Sequence, residues 1–352
     1  MATRNGQPNV DDDLVGTKKN DTFHGFSGND TFYGLGGNDK FFGDEGHDKF
    51  TWNPGNDTIN GGADSDDVLY QYADHGMKID LKAGTAVQIG GGEHDKLVSI
   101  ESVQGTNYND SLYGSDRTDA IEYFIPDYTA GAGLPHPAGG SDYIDGRGGI
   151  DMVSYWHDKA GVKIDVAKGK AVDGGGHTDT FKNIEQFEGS LNADTIKGGN
   201  KADDLWGLDG NDTISGGKGK DSIHSGIGKD ILTGGSGKDF FVYTRAYELS
   251  VDPKEAKRDV ITDFKTGVDK IDLSGIDVDL WTDPDEAFHL YEPNGPHTTF
   301  DGVAGSLIWF QTTNSKGAAI ILIEGDRDGD MVADFQLELR TTANLNNSDF
   351  IL

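Results

Sequence analysis

An aspartate returns every nine residues along much of this chain. Asp21, Asp30, Asp39, Asp48, Asp57 and Asp66 keep the interval without a slip, and an apolar residue follows each by two places: Phe23, Phe32, Phe41, Phe50, Ile59 and Val68. Gly28, Gly37 and Gly46 stand two places before their aspartates. A second run, Asp194, Asp203, Asp212, Asp221, Asp230 and Asp239, has Ile196, Leu205, Ile214, Ile223, Leu232 and Phe241 as its apolar partners, with Gly210, Gly219 and Gly228 in the turn positions. Two shorter pairs, Asp110/Asp119 and Asp142/Asp151, share the spacing. Turn propensity explains any one of these aspartates, but it does not demand a fixed period.

In the unit G-G-x-G-x-D-x-U-x, where U is apolar, only x-U-x is free to be strand, with U pointing inward and its neighbours outward. The other six residues must turn the chain, which glycine permits by adopting positive φ. Two repeats then complete one coil, and successive coils stack at roughly 4.8 Å. The expected fold is all-β, a parallel β-roll or β-helix solenoid. Stacking brings the carboxylate of each repeat beside that of the repeat two further on, as for Asp30 and Asp48. Carboxylates held that close repel unless a cation joins them. Calcium, with six to eight oxygen ligands at about 2.3–2.6 Å, suits such a site better than magnesium, and zinc would want His or Cys. These aspartates, with Gly28, Gly37, Gly46, Gly210, Gly219 and Gly228, are therefore the expected metal-binding set, several calcium ions being the cofactor.

Charge supports the same reading. The formal net charge is −31, from 61 acidic and 30 basic residues. Such a chain repels nucleic acid and anionic lipid. With 52 glycines and 34% hydrophobic residues it is a poor candidate for a self-sufficient core. On the order of ten calcium ions would contribute about +20, so coupled binding and folding is expected. Cysteine is absent, which excludes disulfides and thiolate metal sites.

Between the two runs lies a longer duplication. Gly76–Leu81 matches Gly161–Val166, and Ser99-Ile100-Glu101 matches Asn183-Ile184-Glu185, at a spacing of 84 to 85 residues. Alternating segments such as Val162-Ile164-Val166 read as short strands that extend or cap the coils. Residues 127–140, rich in Pro and Gly, are the expected loop. Beyond about Phe240 the period is lost and β-like segments follow, among them Ala318–Ile323 and Phe335–Leu339. Asp326-Arg327-Asp328-Gly329-Asp330 reads either as an acidic hairpin turn or as a further cation site.

Residues 16–242 resemble the RTX, or haemolysin-type calcium-binding, family, whose repeat is this nonapeptide. Residues 240–352 resemble the C-terminal region of serralysin-type secreted proteins through Asp263–Ser274, Ala333–Leu339 and the ending Ser348-Asp349-Phe350-Ile351-Leu352. The resemblance implies a secreted, extracellular protein, passed by a type I ABC exporter that reads an uncleaved C-terminal signal. That accounts for an N-terminus without the apolar run of a signal peptide. It also implies calcium sites empty in the cytosol and filled outside. The expected organisation is a tail (1–15), a first β-roll block (16–69), an inter-block segment (70–109), short repeats with a loop (110–156), a second inter-block segment (157–193), a second block (194–242) and a serralysin-like C-terminal β-rich cap (243–352).

None of the ten histidines lies in an H-E-x-x-H motif, and G-x-S-x-G is absent. With repeats beginning by Gly16, no protease domain is expected ahead of them. The expectation is therefore a non-catalytic calcium-binding protein acting at the bacterial surface or matrix, with surface polysaccharide a candidate partner. Outward aromatics at Tyr33, Phe42, Tyr113 and Trp206 suit either sugar stacking or packing. The alternatives are a polysaccharide-modifying enzyme, for which Tyr155-Trp156-His157-Asp158 is the most enzyme-like cluster, and a membrane-active protein, for which no apolar or amphipathic segment speaks.

Overall fold

A computed structural model describes residues 3–116, 121–125 (backbone only), 139–244, 258–276, 287–290, 299–341 and 343–352. The chain divides into two compact units, Met1–Lys159 with Gly169–Gln186, and Ala160–Lys168 with Phe187–Leu352.

In the first unit two parallel stacks face each other. Thr3–Asn5, Thr22–Ser27, Lys40–Glu45 and Thr58–Ala63 form one, with Phe23 paired to Phe41 and Phe41 to Ile59. Asp13–Val15, Thr31–Tyr33, Lys49–Thr51 and Asp67–Leu69 form the other. From Asp13 onward each of these pairings joins residues eighteen apart, so two repeats do make one coil; Thr3–Asn5 pairs nineteen residues on. The apolar U residues close the space between the stacks. Phe23 and Phe41 stack at 4.7 Å, as do Phe32 and Phe50, while Phe23 and Phe32 meet edge to face. On one side the strands run six residues rather than the expected three, because the three residues after x-U-x continue the ladder, Phe26 pairing with Asp44 and Ser27 with Glu45.

The irregular stretches join these stacks instead of leaving them. Met77–Asp80, Thr85–Gln88 and His94–Val98 form an antiparallel meander. Its last strand lies parallel to Thr58–Ala63 and its first parallel to Ser111–Tyr113, which continues to Tyr143–Asp145 and Thr178–Lys182. The opposite stack continues through Ser102–Gln104, Ile121–Ile125 and Ile150–Ser154.

In the second unit, Lys163–Asp165, Thr195–Lys197, Thr213–Lys218, Ile231–Ser236, Asp259–Ile261 and Phe335–Leu339 stack in parallel. Antiparallel Ala319–Asp326 and Ser306–Thr313 extend that sheet beyond Phe335–Leu339, and His289–Leu290 pairs with Ser306–Thr313 in turn. Its facing stack runs Asp204–Trp206, Ser222–His224, Phe240–Val242, Lys270–Asp272 and Phe350–Ile351. Rungs thus continue past residue 242, where the nonapeptide period stops. A buried ion pair, Arg258 Nη2 to Glu338 at 2.8 Å, ties the added strands together. Among the described residues the structure is almost wholly β, and no helix is long and apolar enough to cross a membrane.

Candidate metal centre

The described repeat aspartates are buried, and along each run the Oδ1 of one accepts the backbone N–H of the aspartate one coil earlier. Asp21 donates to Asp39 at 2.7 Å, Asp30 to Asp48 at 2.8 Å, Asp39 to Asp57 at 2.7 Å and Asp48 to Asp66 at 2.9 Å. In the second run Asp194 donates to Asp212, Asp203 to Asp221, Asp212 to Asp230 and Asp221 to Asp239 at 2.7–3.2 Å. Asp110 joins Asp142 the same way, and Asp151 donates to Glu185. Asp119 lies outside the described residues.

One oxygen of each carboxylate is thereby used. The other, Oδ2, is buried without a hydrogen-bond partner at Asp30, Asp39, Asp48, Asp66, Asp142, Asp212, Asp221, Asp230 and Asp239. An ionised oxygen left so is costly unless a charge answers it. Beside it lies a second oxygen. A Cβ built on Gly216 would lie 2.5 Å from Asp221 Oδ2 and 2.8 Å from the carbonyl oxygen of Gly234, one coil on. Gly43 is placed the same way between Asp48 Oδ2 and the Gly61 carbonyl, and a Cβ there would collide with both. Glycine five places before the aspartate therefore keeps open a pocket walled by a carboxylate and a carbonyl oxygen. Hard oxygen donors without nitrogen or sulfur are the donor set of calcium, so the residues present fit that ion.

Electrostatics point the same way. Burial, opposed by the hydrogen bond from Asp30 and reinforced by the charges of Asp66 and Asp30, pushes Asp48 up to about 7. Burial does the same to Asp57 and Asp212, each to about 8, and to Asp39, Asp66 and Asp221, each to about 6. These carboxylates resist ionising alone.

Gly28, Gly37, Gly46, Gly210, Gly219 and Gly228 all adopt positive φ, from 104° to 156°. Their first task is close approach: a Cβ on Gly46 would strike the Gly28 carbonyl, and one on Gly228 that of Gly210.

Ladder members outside the strict period escape a search for nines. Asp95, Glu101, Asp179, Asp259 and Asp269 receive the N–H groups of Asp57, Asp66, Asp142, Asp230 and Asp239. The signal for them is still local. Each keeps the acid-x-apolar triplet, with Leu97, Val103, Phe181, Ile261 and Ile271 buried two places on.

At the acidic turn, Asp326, Asp328 and Asp334 bring carboxylate oxygens within 4.8 Å of one another, a group able to hold a metal ion. Asp326 also accepts the N–H groups of Gly329 and Met331. The Tyr155–Asp158 cluster lies beyond the strand that ends at Ser154, in a turn closed by Asp158 N–H to the Tyr155 carbonyl. Tyr155 donates to Asp179, and Asp158 accepts from Gly174. Of the outward aromatics, Phe42 stacks on His24 at 4.8 Å, Trp206 on His224 at 3.7 Å, and Tyr113 tilts against Tyr143 at 5.6 Å. Those rings are engaged in packing; Tyr33 is 37% exposed.

Stacked parallel coils with buried, oxygen-lined turns define a calcium-binding β-roll. Comparison with known families agrees: RTX calcium-binding nonapeptide repeats match over residues 9–41, 16–50, 42–69 and 99–121. The description "Peptidase M10 serralysin C terminal" matches residues 169–352, more than half of the chain, which therefore belongs to that family. Calcium is its cofactor, and both features are typical of proteins secreted by the type I route. Comparison with curated protein sequences gives no match. Among solved structures, the chain is similar to the AlgE6R3 subunit of the Azotobacter vinelandii mannuronan C5-epimerase, at 20% identity over 46% of this chain and 78% of that one, TM-score 0.31. It is also similar to the extracellular lipase LipA of Serratia marcescens, at 15% identity over 96% of this chain but only 39% of the lipase, TM-score 0.28. Likenesses this loose carry no argument about activity.

Proposed function

We propose that this is a secreted, non-catalytic protein whose coils fold when calcium reaches them outside the cell, and which acts at the bacterial surface or matrix. The supporting observation is the row of buried, unpartnered Oδ2 atoms, of which those of Asp30, Asp48, Asp66, Asp212 and Asp221 lie beside a turn carbonyl of the next coil. In this reading Asp30, Asp39, Asp48, Asp66, Asp142, Asp212, Asp221, Asp230 and Asp239 are ligands, and the ions join successive coils. Sites with dissociation constants of about 10⁻⁴–10⁻³ M, as in extracellular modules, would stay empty in the cytosol. Native mass spectrometry of the full chain in calcium tests it. Several ions are expected, none replaced by magnesium at equal concentration, and Gly43→Ala should bind one fewer because its methyl fills the pocket. A full complement in that variant would contradict the assignment.

A second reading adds an acidic polysaccharide as partner. It is favoured by a cleft of about 480 Å³ lined by Lys229, Ile231, Val260, Asn314, Lys316, Glu338 and Arg340. Its one acid, Glu338, is held by Arg258 at 2.8 Å and lies 3.6 Å from Arg340, and with Lys229 and Lys316 this surface is locally cationic over an apolar floor on a strongly acidic chain. Calcium-saturated protein should bind an oligogalacturonate, and Lys316→Ala/Arg340→Ala should weaken it about tenfold, the scale of lost charge-assisted contacts. Equal binding by the double variant would dismiss the cleft.

A further inference from the structure

A row of buried carboxylates must end somewhere, and its ends here are built alike three times. On one side of the coils the ladder runs in three stretches. They are Asp21–Asp39–Asp57–Asp95, Asp110–Asp142–Asp179 and Asp194–Asp212–Asp230–Asp259, each step an N–H donated to the next Oδ1. At the start of each, a hydroxyl four residues upstream donates to the first carboxylate: Thr17 to Asp21 at 2.6 Å, Thr106 to Asp110 at 3.0 Å, Ser190 to Asp194 at 2.9 Å. At the far end a tyrosine does so. Tyr70 donates to Asp95 Oδ2 at 3.0 Å, Tyr155 to Asp179 Oδ2 at 3.0 Å and Tyr243 to Asp259 Oδ2 at 3.3 Å.

These three phenols are the largest fully buried side chains among the described residues. Each sits against the same oxygen that is left unpartnered at Asp39, Asp142, Asp212 and Asp230 in the interior of the stretches. A neutral O–H donor satisfies a carboxylate oxygen without adding charge, so the end carboxylate needs no cation. At Asp39, Asp142, Asp212 and Asp230 no protein donor reaches that oxygen, and a cation is needed; at Asp57, the remaining interior member, Asn53 Nδ2 donates to it at 2.9 Å.

We propose that the Tyr–Asp pairs are calcium-free closures that divide the ladder into three stretches, residues 17–95, 106–179 and 190–259, each loading calcium and ordering separately. The proposal rests on calcium being the ion of the interior rungs. It assigns Asp95, Asp179 and Asp259 to closure although they occupy ladder positions. It also gives the irregular segments a purpose: each carries the next tyrosine, its aspartate and the hydroxyl that opens the following stretch.

Two measurements on the full chain test it. By native mass spectrometry, Asp95→Asn, Asp179→Asn and Asp259→Asn should each retain the wild-type number of calcium ions, whereas Asp142→Asn and Asp212→Asn should each lose one. Loss of an ion from any closure variant would overturn the assignment. By hydrogen exchange against calcium concentration, Tyr70→Phe, Tyr155→Phe and Tyr243→Phe should each raise the calcium midpoint about tenfold within its own stretch, the size expected when a buried carboxylate oxygen loses its donor. The other two stretches should be unchanged. A shift of all three together, or of none, would refute separate loading. Wild-type protection that ignores calcium altogether would instead sink the calcium reading beneath it.

Discussion

Stripped of calcium at neutral pH, the purified chain should lose its β-sheet circular dichroism and expand, and millimolar calcium should restore both. The physical reason is the concentration of charge. A net −31 is spread over a molecule with few apolar residues, and the carboxylates of successive coils are linked N–H to Oδ1 at about 2.7–3.2 Å with their second oxygens buried. The Phe23/Phe41 and Phe32/Phe50 stacks form a core only two side chains deep, bounded by those turns. Binding energy of the ions is then folding energy. Magnesium should restore little, since it holds its water and demands octahedral geometry. Size-exclusion chromatography with far-UV circular dichroism in EDTA and in calcium decides it. An identical compact β spectrum in both would refute the expectation.

Acid should partly replace calcium. Folding raises the carboxyl groups of Asp39, Asp66 and Asp221 to about 6, that of Asp48 to about 7 and those of Asp57 and Asp212 to about 8, against an ordinary 3.8. Between the two values the folded chain binds more protons than the unfolded one, so stability of the calcium-free form falls as pH rises. The contribution is fully present below the unfolded value and is lost as pH climbs through about 6 to 8. Without calcium, the chain should show more β structure at about pH 5.5 than at about pH 8.5, the direction this linkage demands. Calcium affinity should run oppositely, rising over the same window as protons leave the ligands. The acid end must stay above the sequence pI of about 4.4, where vanishing net charge favours precipitation. Greater calcium-free order at the alkaline end would show that these carboxylates ionise freely in the coil.

Much of this was legible in the residues. The interval of nine fixes which aspartates stack, and the apolar residue two places later fixes which side chains meet between the sheets. Phe23 over Phe41 and Asp30 beside Asp48 follow from arithmetic alone. Asp95, Asp179 and Asp259 were not legible that way. They rejoin the ladder after excursions of 38, 37 and 29 residues, and a periodic search requires constant spacing whereas a hydrogen-bonded rung requires only that the chain return. Nor does any local pattern announce that Tyr70 reaches Asp95, because a pairing 25 residues long depends on the meander between them. The cleft beside Arg340 is built from strands and a turn far apart in sequence, and no motif marks it.

The placement of Phe350–Ile351 has its own consequence. This strand pairs with Lys270–Asp272, and Asp349 beside it is fully buried, taking the N–H of Gly267. A docked strand is not an extended peptide, so a receptor that grips these residues as a free tail and the completed sheet exclude each other. Any partner that takes these residues as a free strand must therefore do so before the sheet closes on them.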